Sequence, residues 1–128
     1  LSLQIIEKDG KYGFIDSKGN IIITIIYDND SCFFSEGLVS PEKDGKYGFI
    51  NNKGSIVIDF VYDFAWFFSE GLVAVANKKK FGYIDKTENV IIDLIYDDAF
   101  AFINGLAQVE KNGETFLINK KGERVEET

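Results

Sequence analysis

The chain has 128 residues, of which 45% are hydrophobic, 27% charged and 15% aromatic. This is long enough for one domain with a substantial core and too apolar for a disordered segment. The absence of His removes the commonest general base and metal ligand, and a single Cys excludes an internal disulfide and a Cys-based zinc site. A net charge of −7 argues against nucleic acids and anionic membranes as partners.

A repeat of about 34 residues organises the whole sequence. Its landmarks are an aromatic-Gly-aromatic-Ile motif, a Tyr-Asp pair and a Gly-Leu pair. The motif starts at Tyr12, Tyr47 and Phe81, the first pair at Tyr27, Tyr62 and Tyr96, and the second pair at Gly37, Gly71 and Gly105. We predict one repeat array over residues 1–128, with repeats 12–46, 47–80 and 81–114, partial units 1–11 and 115–128, and a fragment of a longer array as its origin.

The first strand of each repeat is the aromatic-Gly motif itself, and a turn with Gly19 or Gly54 closes it. Gly supplies the positive φ that such a turn needs, and in the third repeat we expect Asn89 to take this role. The second strand is rich in β-branched residues and alternates, which predicts one buried face and one partly covered face. The positions predicted to share the buried face are Ile21, Ile23, Ile25 and Tyr27, and their counterparts in the later repeats.

The third strand follows each Gly-Leu pair. In the first repeat Pro41 stands where the second repeat has Val75, and because Pro cannot donate a ladder hydrogen bond we expect a defect or an edge there. Hairpin turns at Asp44-Gly45, Lys78-Lys79 and Asn112-Gly113 lead directly into the next repeat. The sequence therefore predicts a continuous antiparallel meander.

The remaining segment, between Tyr-Asp and Gly-Leu, is seven or eight residues long and rich in aromatics. We expect it to form a one-turn helical loop, with Phe34, Phe68 and Phe102 inserted in the core. The predicted fold is therefore all-β: a repeat array of three-stranded antiparallel meander units, solenoid-like or barrel-like. A propeller is the alternative, but its blades have four strands and about 40 residues or more.

The ordered landmarks resemble those of the bacterial WG repeat family, with Tyr12, Tyr47 and Phe81 in place of the Trp that names it. The resemblance covers three full units and two partial ones. It implies a β-rich interaction module without catalytic activity. Neither a membrane span nor a signal peptide is recognisable in this fragment. The low cysteine content is compatible with a bacterial cytoplasm and with a bacterial cell surface alike, so the sequence leaves the location open.

Candidates for catalysis and metal binding are weak. Cys32 has no His to activate it, and we interpret it as a small buried hydrophobe. Asp28, Asp63 and Asp97 recur once per repeat, which favours hydrogen bonds to turn or loop N–H groups over a glycosidase pair. Asn29 and Asp30 beside Asp28, and Asp98 beside Asp97, match no recognised calcium loop. We therefore predict no enzymatic activity, no cofactor and no metal.

Aromatic residues that do not recur are the remaining signal, and they define the candidate interaction residues. These are Phe64, Trp66, Phe67 and Phe100. Local packing against Phe100 is the favoured interpretation, and projection of Trp66 and Phe67 as a binding anchor is the other.

The leading functional hypothesis is a noncatalytic module that binds a protein or peptide. The alternatives are a glycan or cell-wall binding module and a structural spacer. Exposed strand edges at the ends of the array would also permit a homo-oligomer.

Overall fold

The computed structural model describes residues 2–29 and 33–126. Within these ranges every regular element is a strand, and no helix there is long and apolar enough to cross a membrane. The strands are β1 Gln4–Lys8, β2 Lys11–Ile15, β3 Ile21–Tyr27, β4 Leu38–Val39, β5 Glu42–Lys43, β6 Lys46–Asn51, β7 Ile56–Tyr62, β8 Phe64–Ala65, β9 Val73–Asn77, β10 Lys80–Ile84, β11 Val90–Tyr96, β12 Asp98–Ala99, β13 Leu106–Lys111, β14 Glu114–Asn119 and β15 Arg124–Val125. The predicted all-β repeat fold is confirmed.

The chain divides into two compact units, Leu1–Val61 and Tyr62–Thr128. In the first unit β1, β2 and β3 form an antiparallel meander, and β6 pairs with β4, β5 and β7. The third strand of this repeat is interrupted at Ser40 and Pro41, which separate β4 from β5. The defect predicted at Pro41 is therefore confirmed.

The second unit contains two four-stranded antiparallel sheets, with strand orders β11-β10-β9-β8 and β12-β13-β14-β15. Each sheet joins the last strands of one repeat to the first strands of the next. The hairpin turns between repeats lie where they were predicted, with positive φ at Lys78 and Lys79 and at Asn112 and Gly113.

The predicted continuous meander is wrong, because consecutive strands β11 and β12 belong to different sheets. The chain leaves one sheet at Tyr96 and enters the next at Asp98. The Asp97 N–H lies at this crossing and donates a hydrogen bond to the Glu110 carbonyl oxygen at 2.8 Å. The array is therefore a series of separate short sheets.

The predicted helical loop is also wrong, because the segment after Tyr62 folds as a hairpin. Its first residues form the short strand β8, and the Trp66 N–H donates to the Ala74 carbonyl oxygen at 3.0 Å. Glu70 and Gly71, with φ of 55° and 81°, then close a tight turn. Paired backbone groups have replaced the helical hydrogen bonds, so the second and third repeats each have an additional two-residue strand, β8 and β12 respectively. In the first repeat residues 30–32 lie outside the described ranges, and the interpretation of Cys32 with them.

The second strands show the predicted alternation of buried and exposed positions. In β11, Ile92 and Tyr96 are buried, whereas Ile91 and Ile95 on the other face are exposed. The first residue of each of these strands departs from the prediction: it belongs to the apolar face but is exposed, because it adjoins the exposed turn. These residues are Ile21, Ile56 and Val90.

Within each unit the core lies between neighbouring sheets. In the second unit Tyr83, Ile92 and Tyr96 of one sheet form a cluster with Phe102 and Val109 of the next. In the first unit the cluster joins Phe14, Ile23 and Tyr27 to Val39 and Ile50. The core positions predicted for the loop aromatics are confirmed for Phe68 and Phe102, which are fully buried, whereas Phe34 is half-buried.

The glycine of each aromatic-Gly motif lies beneath a bulge of the second strand. Between Phe81 and Tyr83 the register of β10 against β11 shifts, and the β11 backbone approaches Gly82 closely. A Cβ on Gly82 would lie 2.5 Å from the Ile92 carbonyl oxygen, and Gly13 and Gly48 are similarly enclosed. In the last sheet Phe116 takes this place, where the partner strand β15 has only two residues.

The turn after each first strand is organised by the Asp or Asn that ends that strand. In the third repeat the Asp85 carboxylate accepts hydrogen bonds from the N–H groups of Thr87 and Asn89, both at 2.9 Å. The left-handed residue is Glu88, with φ of 68°, so the assignment of that role to Asn89 is wrong. Asn89 instead donates backbone and side-chain N–H groups to Asp85.

Candidate functional site

The recurring aspartates have the structural role predicted for them. Asp28, Asp63 and Asp97 each accept a hydrogen bond from a backbone N–H of the hairpin turn that follows, at 2.8, 2.9 and 2.9 Å respectively. Lys11 pairs with Asp28, and Lys80 with Asp97. The lysine hydrogen bond and the turn N–H together hold the pKa values of Asp28 and Asp97 below the ordinary range. These carboxylates therefore fasten a hairpin in each repeat.

No group of three or more His, Cys, Asp or Glu side chains in residues 2–29 and 33–126 is arranged to hold a metal ion. Asp30 and Cys32, which the sequence analysis considered for metal binding and catalysis, lie outside these ranges.

Three of the four aromatic candidates, Phe64, Trp66 and Phe100, come together in the second unit. The Phe64 and Trp66 ring centroids are 4.9 Å apart with perpendicular planes, and those of Trp66 and Phe100 are 6.2 Å apart. We call Phe64, Trp66 and Phe100 the aromatic row. Phe67 is 39% exposed.

Backbone pairing explains how the row is built. In β8 Ala65 is buried, and alternation along the extended chain turns Phe64 and Trp66 to the other side. Phe100 holds the place of Trp66 one repeat later, and its N–H donates to the Gln108 carbonyl oxygen at 3.0 Å. The two rings are therefore repeat-related neighbours.

The sequence left open whether Trp66 packs locally against Phe100 or projects from the surface. It packs against Phe100, yet 37% of its surface is exposed, as is 39% of Phe100. The ring is thus held in position from both sides while a substantial part of its surface remains accessible. Rigid, partly exposed aromatic rings are typical of binding anchors.

An apolar groove of about 530 Å³ adjoins the aromatic row at Phe100. We call it the end groove, since it lies on the last sheet. Its lining residues are Phe100, Ala101, Ile103, Leu106, Gln108 and Leu117. Ile103 is 68% exposed. The sequence analysis missed this site; the one available signal was Ile103 in the place of Ser35 and Ser69.

The short antiparallel sheets and the aspartate-fastened hairpins, repeated about every 34 residues, define an antiparallel β-repeat protein. The family model described as WG containing repeat matches residues 12–47, 47–81 and 81–114. The chain belongs to this family. No curated protein and no solved structure gives a significant match.

Proposed function

We propose that this WG repeat chain is a noncatalytic module that binds a protein or peptide through the aromatic row. The observation that carries the proposal is Trp66, which is fixed between Phe64 and Phe100 and still more than one third exposed. Such a ring loses little conformational freedom when a partner covers it, so apolar burial contributes fully to affinity.

The acidic character of the chain indicates the chemistry of the partner. A net charge of −7 favours a polypeptide with Lys or Arg residues flanking an apolar anchor, because complementary charge accelerates association. A basic, aromatic-containing peptide is therefore the preferred ligand class.

A peptide selection with matched variants tests this proposal. Random peptides displayed on phage are selected on the wild-type chain, and synthetic hits are titrated while the emission of Trp66, the only Trp, is recorded. We expect enrichment of apolar and basic residues, and at least a tenfold loss of affinity in Trp66→Ser and Phe100→Ser, roughly the effect of a hot-spot residue.

Ile26→Ser is the matched control, since Ile26 is 39% exposed and belongs to the first unit, whereas the row belongs to the second. The proposal is wrong if this control weakens binding as much as Trp66→Ser, or if no peptide is enriched above background.

A glycan or cell-wall polymer is the second candidate ligand. Sugar binding commonly uses an aromatic ring beside a carboxylate. The half-buried Tyr47 lies beside the Glu42 carboxylate. Burial raises the pKa of the Tyr47 phenol most, and the charge of Glu42 and its hydrogen bond to the phenol raise this pKa further. A glycan array probed with the wild-type chain and with Tyr47→Ala tests it. A blank array would exclude this ligand class.

The noncatalytic part of the proposal is supported by the use of the repeat aspartates in hairpin fastening. A broad hydrolase screen of the purified chain tests it, and we expect no turnover. Reproducible turnover that disappears in Asp28→Asn or Asp97→Asn would contradict it.

A further inference from the structure

We propose that the outer edges of the second strands β7 and β11 each bind an extended segment of a partner protein, basic at its centre and apolar on both sides, as an added strand. This goes beyond the binding proposed for the aromatic row, because it assigns a different surface and a different kind of contact, backbone pairing. We call the exposed alternate residues of these strands the outer stripes: Val57, Asp59 and Val61 in β7, and Ile91, Asp93 and Ile95 in β11.

The two edges of a sheet differ in length. In the sheet of order β11-β10-β9-β8 the β8 edge has two residues, whereas the β11 edge has seven. β7 also has seven residues, and in the part of the chain that the structure describes it pairs with β6 alone. A free edge presents unpaired backbone N–H and C=O groups, which natural sheets commonly limit by keeping edge strands short. The second strands are therefore long enough to template another strand.

Neighbouring repeats do not cover the outer stripes. In the second unit the last sheet follows β11 and packs in one cluster with Ile92 and Tyr96, yet Ile91 and Ile95 remain 45% and 43% exposed. In the first unit a complete repeat precedes β7, and Val57 is still 41% exposed. The exposure of the stripes is therefore a property of the repeat itself and does not depend on where the sequence begins or ends.

The order of residues in the outer stripes indicates the chemistry of the occupant. Each stripe has an acidic residue between two aliphatic ones, as in Ile91, Asp93 and Ile95. Directly opposed side chains on adjacent strands interact favourably when both are aliphatic or when their charges are opposite. The complementary strand therefore carries Lys or Arg at its centre and Val or Ile two residues to either side. The net charge of −7 favours the same partner.

A second copy of the chain fits these edges poorly. Antiparallel pairing of two β11 strands centred on Asp93 would place two carboxylates opposite each other, and the same pairing of β11 with β7 would place Asp93 opposite Asp59. Like charges in directly opposed positions destabilise a strand pair. The central acid therefore opposes self-pairing and accepts a basic strand, and specificity comes from the difference.

The first repeat provides an internal comparison. β3 exposes Ile22 and Ile26 as the later repeats expose their counterparts, but Thr24 stands in the place of Asp59 and Asp93. This strand offers the apolar contacts without the charge. We therefore expect it to bind a basic segment more weakly than β7 and β11 do.

Fluorescence polarisation with a labelled peptide and the full chain tests the proposal. The probe is Thr-Val-Thr-Lys-Thr-Val-Thr, which is as long as β11 and reads the same in both directions, so that strand direction does not affect the fit. One control peptide replaces Lys by Glu. The other is N-methylated at every internal residue, which keeps the side chains and removes the backbone donors. We expect saturable binding of the probe and about tenfold weaker binding of each control.

Variants of the chain test the charge pairing. Asp59→Lys combined with Asp93→Lys should reverse the preference, so that the Glu peptide binds about tenfold more tightly than the Lys peptide. Glu7→Lys combined with Asp9→Lys is the matched control, because both residues are exposed, lie in or beside β1 and undergo the same change in charge. This control should keep the preference for the Lys peptide.

Hydrogen exchange measured by mass spectrometry locates the binding. The probe should slow exchange of backbone amides within residues 56–62 and 90–96, because added ladder hydrogen bonds protect them. Trp66→Ser should leave this protection unchanged.

The proposal is refuted if the Lys and Glu peptides bind equally, if the N-methylated peptide binds as well as the probe, if the Glu7 and Asp9 control reverses the preference, or if the probe does not bind. A dimer of the wild-type chain that protects residues 90–96 would also overturn it, since it would assign the edge to a second copy. If the probe fails to bind while the peptides selected at Trp66 still bind, this proposal fails and the proposed function stands.

Discussion

Gly82 is a position at which only a residue without a side chain fits. The β11 backbone bulges over it and leaves no space for a Cβ, which would lie 2.5 Å from the Ile92 carbonyl oxygen. The motif glycine is therefore required by close packing, since its φ lies outside the left-handed region. This explains why an aromatic-Gly pair, rather than an aromatic residue alone, recurs in every complete repeat.

Gly82→Ala should accordingly reduce the free energy of unfolding by about 2–3 kcal/mol, the cost of forcing atoms into a packed site. Gly71→Ala is the matched control: Gly71 has a φ of 81° and open space around it, so only backbone strain of about 1 kcal/mol is expected there. Urea unfolding followed by circular dichroism measures both. Equal losses in the two variants would contradict the bulge explanation.

Glu88 is one of several non-glycine residues that adopt a left-handed backbone conformation. It adopts a φ of 68° in a turn where the first two repeats have Gly19 and Gly54. Its carboxylate also accepts a hydrogen bond from the Tyr62 hydroxyl and helps, after burial, to raise the pKa of that phenol. Strain and a favourable contact therefore coincide at one position.

The two effects separate in a pair of variants. Glu88→Ala removes the contact and keeps the strain, whereas Glu88→Gly removes both. We expect Glu88→Gly to be more stable than Glu88→Ala by about 1 kcal/mol in urea unfolding. Equal stability would show that the turn is not strained.

At the scale of the element, each hairpin between repeats is fastened by an aspartate that precedes it by about 15 residues. The Asp97 carboxylate accepts hydrogen bonds from Lys80 and from the Asn112 N–H, which lower its pKa in the folded chain. Such a group stabilises the fold at pH values above its unfolded pKa of about 3.9. That stabilisation is lost as the pH falls through the lower, folded pKa.

In Asp97→Asn the free energy of unfolding should therefore fall less steeply as the pH is lowered than it does in the wild type. The amide oxygen can still accept from the Asn112 N–H, but the charge that attracts Lys80 and titrates is gone. Urea midpoints between pH 2 and 7 test this, with Asp9→Asn in the exposed turn between β1 and β2 as the control. An acid limb as steep as that of the wild type would contradict the assignment.

Much of the element structure could be predicted from the sequence because it follows local rules. Alternation placed Ile92 and Tyr96 in the core, and the Asn112-Gly113 dipeptide identified a hairpin turn. The segment from Phe64 to Phe68 has no such period, since its backbone pairs with β9 and its rings face different surroundings. Its length alone suggested a helical turn, and tertiary pairing decided otherwise.

At the scale of the whole molecule, exposure depends on which neighbour covers a position. Leu72 and Leu106 hold the same place in the repeat, yet Leu72 is buried and Leu106 lines the end groove. A repeat pattern gives identical letters to both, so no sequence rule could separate them. For the same reason the residues of the aromatic row could be proposed from the sequence, whereas the end groove could not.

Solubility is a property of the same scale, and the outer strand faces bear on it. β11 lies at the edge of its sheet and exposes Ile91 and Ile95 on either side of Asp93. A charge at the centre of an apolar edge strand opposes pairing with other chains. We therefore expect Asp93 to protect this strand from edge-to-edge pairing.

Asp93→Val should cause concentration-dependent aggregation, detected by light scattering, while the fold seen by circular dichroism is retained. Asp93→Lys, which restores a charge of opposite sign, should remain monodisperse. Aggregation of both variants would show that the carboxylate matters for stability and not for edge protection.

The sequence repeat and the sheet begin at different residues, and this difference affects how the gene can gain or lose repeats. Family matches begin inside strands, at Phe81 within β10, whereas each sheet runs from one crossing to the next, as over residues 63–96. Both have the same period of about 34 residues. If a segment of one period is duplicated in tandem inside the array, the duplicated copy therefore completes every strand that the insertion interrupts, whichever residues the breakpoints lie between. Unequal recombination can lengthen or shorten the array by whole sheets without any requirement for aligned junctions.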